Sequence, residues 1–277
     1  MTKKRNINKV LSYVLAGIFL LAVLFPIYWM INTSLKTDTE IYLSKPTFFP
    51  HKIVTDGYKR LFLDTPFLQS IFNSLMISLV VAVITVFFSM LASYAITRLR
   101  IKGGTVMSKC ILYTYLMPRN LLFIPMYILL SSIGLAGSRS GLVILYPTFT
   151  IPYAMWMLIA YFKTVPKEME ESAMVDGCGH LRTMFYIFFP LAMPGIMSTF
   201  IFCFTLSWND YLYAFVMVTD TAAKTFPLML SDLMIDDVYA WGPLMAGSIL
   251  SCLPILLIYT FASTRVTGGI TSGAVKL

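Results

Sequence analysis

The sequence predicts an all-α, polytopic membrane protein with six transmembrane helices. Three observations predict it. Hydrophobic residues make up 58% of the 277 and charged residues only 12%, and mean hydropathy is +0.77, a composition that cannot clothe a soluble domain in solvated side chains. The apolar residues fall into runs that approach the roughly 20 residues a helix needs to cross a hydrocarbon core of about 30 Å. Lysine and arginine gather in alternate loops, the bias that marks the cytoplasmic side of a polytopic chain.

The runs are Leu11 to Ile31, Ile71 to Ile96, Met107 to Leu130, Leu142 to Phe162, Tyr186 to Trp208 and Pro243 to Ser263. Each must be helical, because backbone in lipid has no water to satisfy its N–H and C=O groups. The first is too long for the core of a secretory signal and is followed by "FPIYWMINTSLK", with bulky residues where cleavage needs small ones, so it is expected to stay as an anchor. The third differs from the rest in carrying Pro118, Arg119 and Pro125.

With the amino terminus inside, Lys3, Lys4, Arg5, Lys9, Arg98, Arg100, Lys102, Lys109, Lys163, Lys167, Arg182, Arg265 and Lys276 lie on the cytoplasmic side, 13 in all. The longer outer segments, Asn32 to Ser70, Ser131 to Gly141 and Asn209 to Gly242, hold seven. Both termini are therefore expected in the cytoplasm. The net charge of +8 is then a topology signal, and no nucleic-acid partner is needed to explain it.

Several chemistries are excluded. Cys110, Cys178, Cys203 and Cys252 have no CxxC spacing, and His51 and His180 stand far apart, so no disulfide framework or metal site is expected. No GxxxxGK[ST] phosphate loop occurs. Without long low-complexity or repeated segments, residues 1–277 are expected to form a single transmembrane domain.

The informative stretch is "KEMEESAMVDGCGHLRTMFYIFFPLAMPG", Lys167 to Gly195. Glu168, Glu170, Glu171 and Asp176 fall within nine positions, between two strongly apolar runs. Pro166 suits the first turn of a helix, the glutamates complement its positive end, and Gly177 offers the left-handed conformation that ends it. A second helix from about His180 is expected to run into the fifth span. By charge pattern alone, a solvated helical hairpin explains the loop equally well.

The spacing adds more. Glu171-Ser172-Ala173, three residues, Gly177, nine residues, Ile187, one residue, Phe189-Pro190 resembles the EAA loop of the permease subunits of ABC importers, with Asp176 before the glycine also fitting. Ser172 replaces an alanine and Phe189 a leucine, and neither changes the small face or the apolar anchor. "FPIYWMINTSLKTDTEI", "FNSLMISLVVAVITVFFSMLASYAITRLR", "SWNDYLYAFVM" and "TGGITSGAVKL" resemble the carbohydrate-uptake branch and are similar to the second permease subunit of the maltose importer.

The resemblance implies the type I ABC importer permease fold in a bacterial-type inner membrane. It makes residues 163–185 a coupling loop that docks on a cytoplasmic ATPase dimer, with Glu171, Ser172, Ala173, Asp176 and Gly177 as the coupling residues. Glu171 and Ala173 are expected to fill the ATPase groove, and Gly177 to set the bend. ATP and Mg belong to that partner, so this chain is not itself an enzyme and carries no cofactor. The further partners implied are a second homologous permease, an extracytoplasmic solute-binding protein and the lipid bilayer.

Substrate-path candidates follow from the residues. Arg119 and Asn120 lie mid-span, where a cation normally faces a cavity or a partner; pairing with an acidic group of another subunit is the other reading. Trp208, Asn209, Asp210 and Tyr211, with Tyr213, suit sugar stacking and hydrogen bonding, or an interfacial aromatic belt. The segment Thr219 to Gly242, with Asp232, Asp236 and Asp237, corresponds in the resemblance to a loop that contacts the binding protein, or is simply solvated. Sugars and oligosaccharides are the expected cargo, with a glycerophosphate-like solute kept open by Arg119. A secondary transporter or channel lacks support beyond Arg119, and a membrane enzyme lacks paired carboxylates or a histidine cluster in the spans.

Overall fold

A computed structural model of the chain describes residues 2–99, 101–234 and 239–271 and, outside 2–8, 10 and 263–271, their side chains. Among the described residues every regular element is helical. The chain runs through α1 (Thr2–Ser34), α2 (Asp38–Ile41), α3 (Asp56–Leu63), α4 (Phe67–Arg98), α5 (Gly104–Leu116), α6 (Phe123–Ser132), α7 (Arg139–Leu145) and α8 (Pro147–Phe162). It continues through α9 (Glu168–Val175), α10 (His180–Thr183), α11 (Phe189–Leu191), α12 (Met193–Trp208), α13 (Leu212–Met217), α14 (Phe226–Asp232) and α15 (Trp241–Thr271).

Among the described residues, Leu11–Ser34, Phe67–Arg98, Arg139–Phe162 and Trp241–Ala262 are long and apolar enough to cross a membrane. The expected fifth span is not straight. His180–Leu191 and Met193–Trp208 meet at a 76° bend and make one span only as a broken pair. Pro190 and Pro194 flank the bend, and a proline removes the donor that would carry the helical ladder through. A π-helical turn at Met184–Phe188 precedes Pro190, a local rewinding of the same ladder.

The expected third span is broken too. Met117 is extended (φ −66°, ψ 134°), as the residue before a proline must be, and Pro118 opens a short 3-10 turn at Arg119–Leu121 between α5 and α6.

Two compact units emerge, each made of two stretches: Met1–Leu68 with Met229–Leu253, and Gln69–Leu228 with Pro254–Leu277. In the first, the apolar side chains of α1 stay exposed, Phe19 and Leu21 each at 71%, as expected of a helix whose solvent is lipid. The segment after α1 folds around Glu40. Its Oε1 accepts from the Thr47 hydroxyl (2.6 Å), and both its oxygens accept from the His51 backbone N–H (3.1 and 3.2 Å). Lys36 beside it donates to the Thr47 carbonyl (2.5 Å) and lies over the Trp29 ring.

The second unit is organised by α4. Ser70, Ser74, Ser78, Thr85, Ser89 and Ser93 are all buried, at intervals of four or seven that keep them on one helical face. Small hydroxyl residues let membrane helices approach closely and bond across the seam. Thr85 and Thr150 of α8 do so at 2.7 Å. On α12, a Cβ at Gly195 would stand 2.3 Å from the Tyr161 ring, so glycine sets the approach of α12 to α8.

Candidate functional site

The acidic loop forms a short, well-terminated helix. Lys167 caps α9, its carbonyl accepting from the Glu170 and Glu171 amides (2.9 and 3.0 Å), and Glu168, Glu170 and Glu171 fill the electropositive first turn. At the other end Gly177 has φ +87°. The Cys178 amide bonds the Ala173 carbonyl (3.0 Å) and the Gly177 amide bonds the Met174 carbonyl (3.1 Å), which together make a Schellman motif. A Cβ at Gly177 would meet nothing within 4 Å, so backbone conformation, not crowding, calls for glycine there.

The helix divides its residues sharply. Glu171, Ser172 and Asp176 are exposed, and Val175 is 87% exposed with Met169 and Met174 also open. Ala173 faces the other way and is 3% exposed, packed within this chain. That corrects its expected place in a partner's groove: its small side chain brings α9 close to its own chain and leaves the open face to its neighbours.

Glu170 is also buried, which the solvated-hairpin reading did not anticipate. Its Oε1 lies 3.0 Å from Arg98 Nε, with both side chains 5% exposed, and its Oε2 accepts from the Tyr94 hydroxyl (2.9 Å). Arg98 Nη2 donates to the carbonyls of Phe162 (2.7 Å) and Val165 (2.6 Å), and its guanidinium lies 4.8 Å from the centre of the Phe188 ring.

The break at Pro118 builds a second candidate region. Within its 3-10 turn the Arg119 carbonyl accepts from the Leu122 amide (3.0 Å) and also from the Tyr213 hydroxyl (2.8 Å). The Arg119 side chain is exposed and lies over Phe149, 5.6 Å from the ring centre. Among the described residues it takes part in no ion pair. Arg119 lines a cavity of about 250 Å³ with Thr114, Tyr115, Thr148, Phe149 and Tyr213; Asn120 is exposed but is not part of that lining.

The Trp208 to Tyr211 cluster does not converge. Trp208 is 1% exposed, stacked between Phe204 and Phe226 at 5.6 and 5.4 Å, so it serves neither as a sugar platform nor as an interfacial belt. Asp210 is buried and accepts from the Tyr146 hydroxyl (3.1 Å) and the amides of Tyr213 (3.1 Å) and Ala214 (3.3 Å), which caps α13. α12 ends at Trp208, and the turn after it sends adjacent residues to opposite sides: Asn209 and Tyr211 are exposed. Asp232 ends α14 and is exposed, whereas Asp236 and Asp237 lie outside the described residues. No group of three or more His, Cys, Asp or Glu suits a metal ion among the described residues.

A polytopic apolar chain with a capped acidic helix at the foot of a bent helix pair matches known proteins. Residues 86–268 match the family described as "binding-protein-dependent transport system inner membrane component". The chain belongs to that family. This permease is 35% identical, over 277 residues covering 99% of both chains, to the inner membrane ABC transporter permease protein YcjP of Escherichia coli strain K12. It is 28% identical to the trehalose/maltose transport system permease protein MalG of Thermococcus litoralis, over 99% of each chain. It is 29% identical to the sulfoquinovosyl glycerol transport system permease protein SmoH of Agrobacterium fabrum, over 97% of this chain and 94% of that relative.

Among solved structures, a bacterial ABC transporter involved in the import of the acidic polysaccharide alginate has a chain with TM-score 0.79 over 94% of the permease and 96% of itself; at 24% identity it shows the shared fold. The permease is thus a multi-pass membrane component of an ABC transport system. Sequence reasoning picked out its acidic loop but missed Tyr94 and gave Arg98 only a place in the charge bias. The signal for both was available, since a tyrosine and an arginine four residues apart share one face at the end of an apolar helix.

Proposed function

We propose that this permease carries a sugar or oligosaccharide across the inner membrane, taking it from a solute-binding protein and drawing energy from ATP hydrolysed on a separate ATPase dimer. A second, homologous permease completes the pathway. Residues 1–277 act as one transmembrane domain with six spans and both termini in the cytoplasm, the broken third segment and the bent fifth each counting as a crossing. The relatives named for trehalose and maltose and for sulfoquinovosyl glycerol support a carbohydrate cargo.

One observation carries the coupling role: α9 presents Glu171, Ser172, Val175 and Asp176 outward while Ala173 and Glu170 hold it to its own chain. Val175 with the open Met169 and Met174 forms an apolar patch beside acidic side chains on a capped helix, which suits another protein. Closure of the ATPase dimer would move that helix and bias the spans between two arrangements. Asp232, with Asp236 and Asp237, is the proposed contact for the binding protein on the opposite side.

Arg119 favours a second reading of the cargo. A cation that lines a cavity and makes no ion pair among the described residues, with Asp210 acting on it only at longer range, suits an acidic sugar or a glycerophosphate-like solute as well as an acidic group on the second permease.

The test is assembly and stimulated hydrolysis. The native permease, purified from membranes, is expected to bring down an ATPase whose activity rises with a solute-loaded binding protein. Gly177→Leu, which forces a side chain into left-handed backbone at about 1–2 kcal/mol, is expected to lower both. A native permease that captures no ATPase, or a Gly177→Leu protein with unaltered assembly and stimulated hydrolysis, contradicts the proposal.

A further inference from the structure

The motif that marks the loop includes neither Glu170 nor any residue of α4, yet the most heavily engaged cation among the described residues binds the two together. Arg98, the last residue of α4, reaches three other elements at once. Its Nε lies 3.0 Å from Glu170 of α9, and its Nη2 donates to the carbonyls of Phe162, the last residue of α8, and Val165 just beyond. Its guanidinium covers Phe188, in the π-helical turn that leads to α11. Tyr94, one turn back along α4, donates to the other Glu170 oxygen at 2.9 Å and packs edge-on against Phe188 at 5.0 Å.

Orphan carbonyls at a helix end need donors, and Arg98 supplies them to α8 from another helix. A planar guanidinium fills such a set of acceptors only in one orientation. A purely apolar seam here would let α9 slide at little cost. A buried charge does not allow this, because parting it from its carboxylate leaves an uncompensated ion in the core.

We propose that Arg98, Glu170 and Tyr94 form a latch that makes α9 move as one body with the ends of α4 and α8 and with the Met184–Phe188 turn. They are positioning residues: they touch neither solute nor nucleotide, and they deliver a push on α9 to several membrane helices together. The inference rests on the reading of α9 as the coupling helix and says how the displacement leaves it. The alternative is an ion pair that only stabilises the fold.

The experiment uses the whole complex in proteoliposomes, measuring solute uptake and ATP hydrolysis together. Three permeases are compared with the native one: Glu170→Gln, Tyr94→Phe, and the double Arg98→Met/Glu170→Met. The double variant guards against misfolding, since apolar replacement of a buried pair is commonly neutral for stability. In Glu170→Gln and the double variant, hydrolysis is expected to persist but to lose its dependence on the loaded binding protein. Solute carried per ATP should fall about tenfold, within the usual range of coupling free energies. Tyr94→Phe should fall in the same direction by less.

A latch that only stabilises would lower hydrolysis and uptake in proportion, and that outcome overturns the proposal. So does a double variant with native uptake per ATP. If the native complex itself shows hydrolysis indifferent to the binding protein, the coupling reading fails first. If the native complex responds and the variants match it, the latch alone is wrong.

Discussion

Arg98 and Arg119 are both arginines at the end of an apolar helical stretch, and the chain treats them in opposite ways. Arg98 is closed in on every side, its charge met by Glu170, its donors by two carbonyls and its face by Phe188. Arg119 has the Phe149 ring under its guanidinium and the Asp210 carboxylate beyond ion-pair distance, and its backbone carbonyl, not its side chain, makes the bond that holds it in place. A buried cation whose charge and carbonyl bonds are met within its own chain ties elements together. One left open beside a cavity waits for a group from outside, whether solute or subunit. If α9 couples and Arg119 receives an acidic group, as proposed, the two residues divide force transmission from recognition within one unit of the permease.

The largest effect expected from this contrast is on folding. Glu170→Ala should lower the unfolding free energy of the purified permease by ~3–5 kcal/mol, because Arg98 stays buried without its carboxylate. Thermal unfolding in detergent, followed by exposure of buried cysteine Cys203 to a thiol reagent, measures it. A native-like transition would mean that water reaches Arg98, and the contrast with Arg119 would collapse.

A smaller effect sharpens the comparison from the carboxylate side. Glu40 is buried like Glu170, but a hydroxyl and a backbone amide, not an arginine, make its hydrogen bonds. The Thr47 hydroxyl, with help from the His51 amide and the nearby His51 and Lys36 charges, outweighs burial and holds its carboxyl below the ordinary 4.5. The unfolded chain then binds the proton more readily than the folded one. The stability Glu40 contributes is present above about pH 4.5 and is lost as the pH falls from there toward the depressed folded value. Exchange protection of the His51 amide, corrected for the intrinsic rate, should therefore fall as the pH drops below about 4.5. In Glu40→Gln that pH dependence should vanish; a variant that keeps it would show that another group is titrating.

Much of this architecture could be read from the residues. Pro166, the glutamates and Gly177 specified α9 and its left-handed end, and Pro118 marked the break that exposes Arg119. Which glutamate faces inward could not be read, because Glu170 and Glu171 are chemically identical and only the distant Arg98 and Tyr94 distinguish them. Trp208 and Asp210 misled for a related reason: adjacency in sequence suggested one cluster, while the end of α12 turned both of them into the core and left Asn209 and Tyr211 outside. The hydroxyl stripe from Ser70 to Ser93 was visible all along, but serine is nearly neutral in hydropathy, so a reading for apolar runs passes over its period of four. The 76° bend needed both Pro190 and Pro194 to be weighed against an otherwise continuous apolar run.

The smallest expected change in folding is at Arg119 itself. Arg119→Ala removes a guanidinium that meets one aromatic face, a contact worth about 0.5–1 kcal/mol when exposed, so the unfolding transition should move little. Its consequence belongs to the assembled transporter. If the open cation receives an acidic group of the solute, Arg119→Ala should raise the apparent dissociation constant for an acidic oligosaccharide by about tenfold, near the low end of what a charge-assisted hydrogen bond is worth. A neutral oligosaccharide of the same length should be carried as before. If the open cation instead receives a carboxylate of the second permease, the loss should fall on assembly and be equal for both solutes. A variant that assembles and transports both with native affinity would show that the exposed arginine at this break has no recognition role, and the division of labour between Arg98 and Arg119 would rest on Arg98 alone.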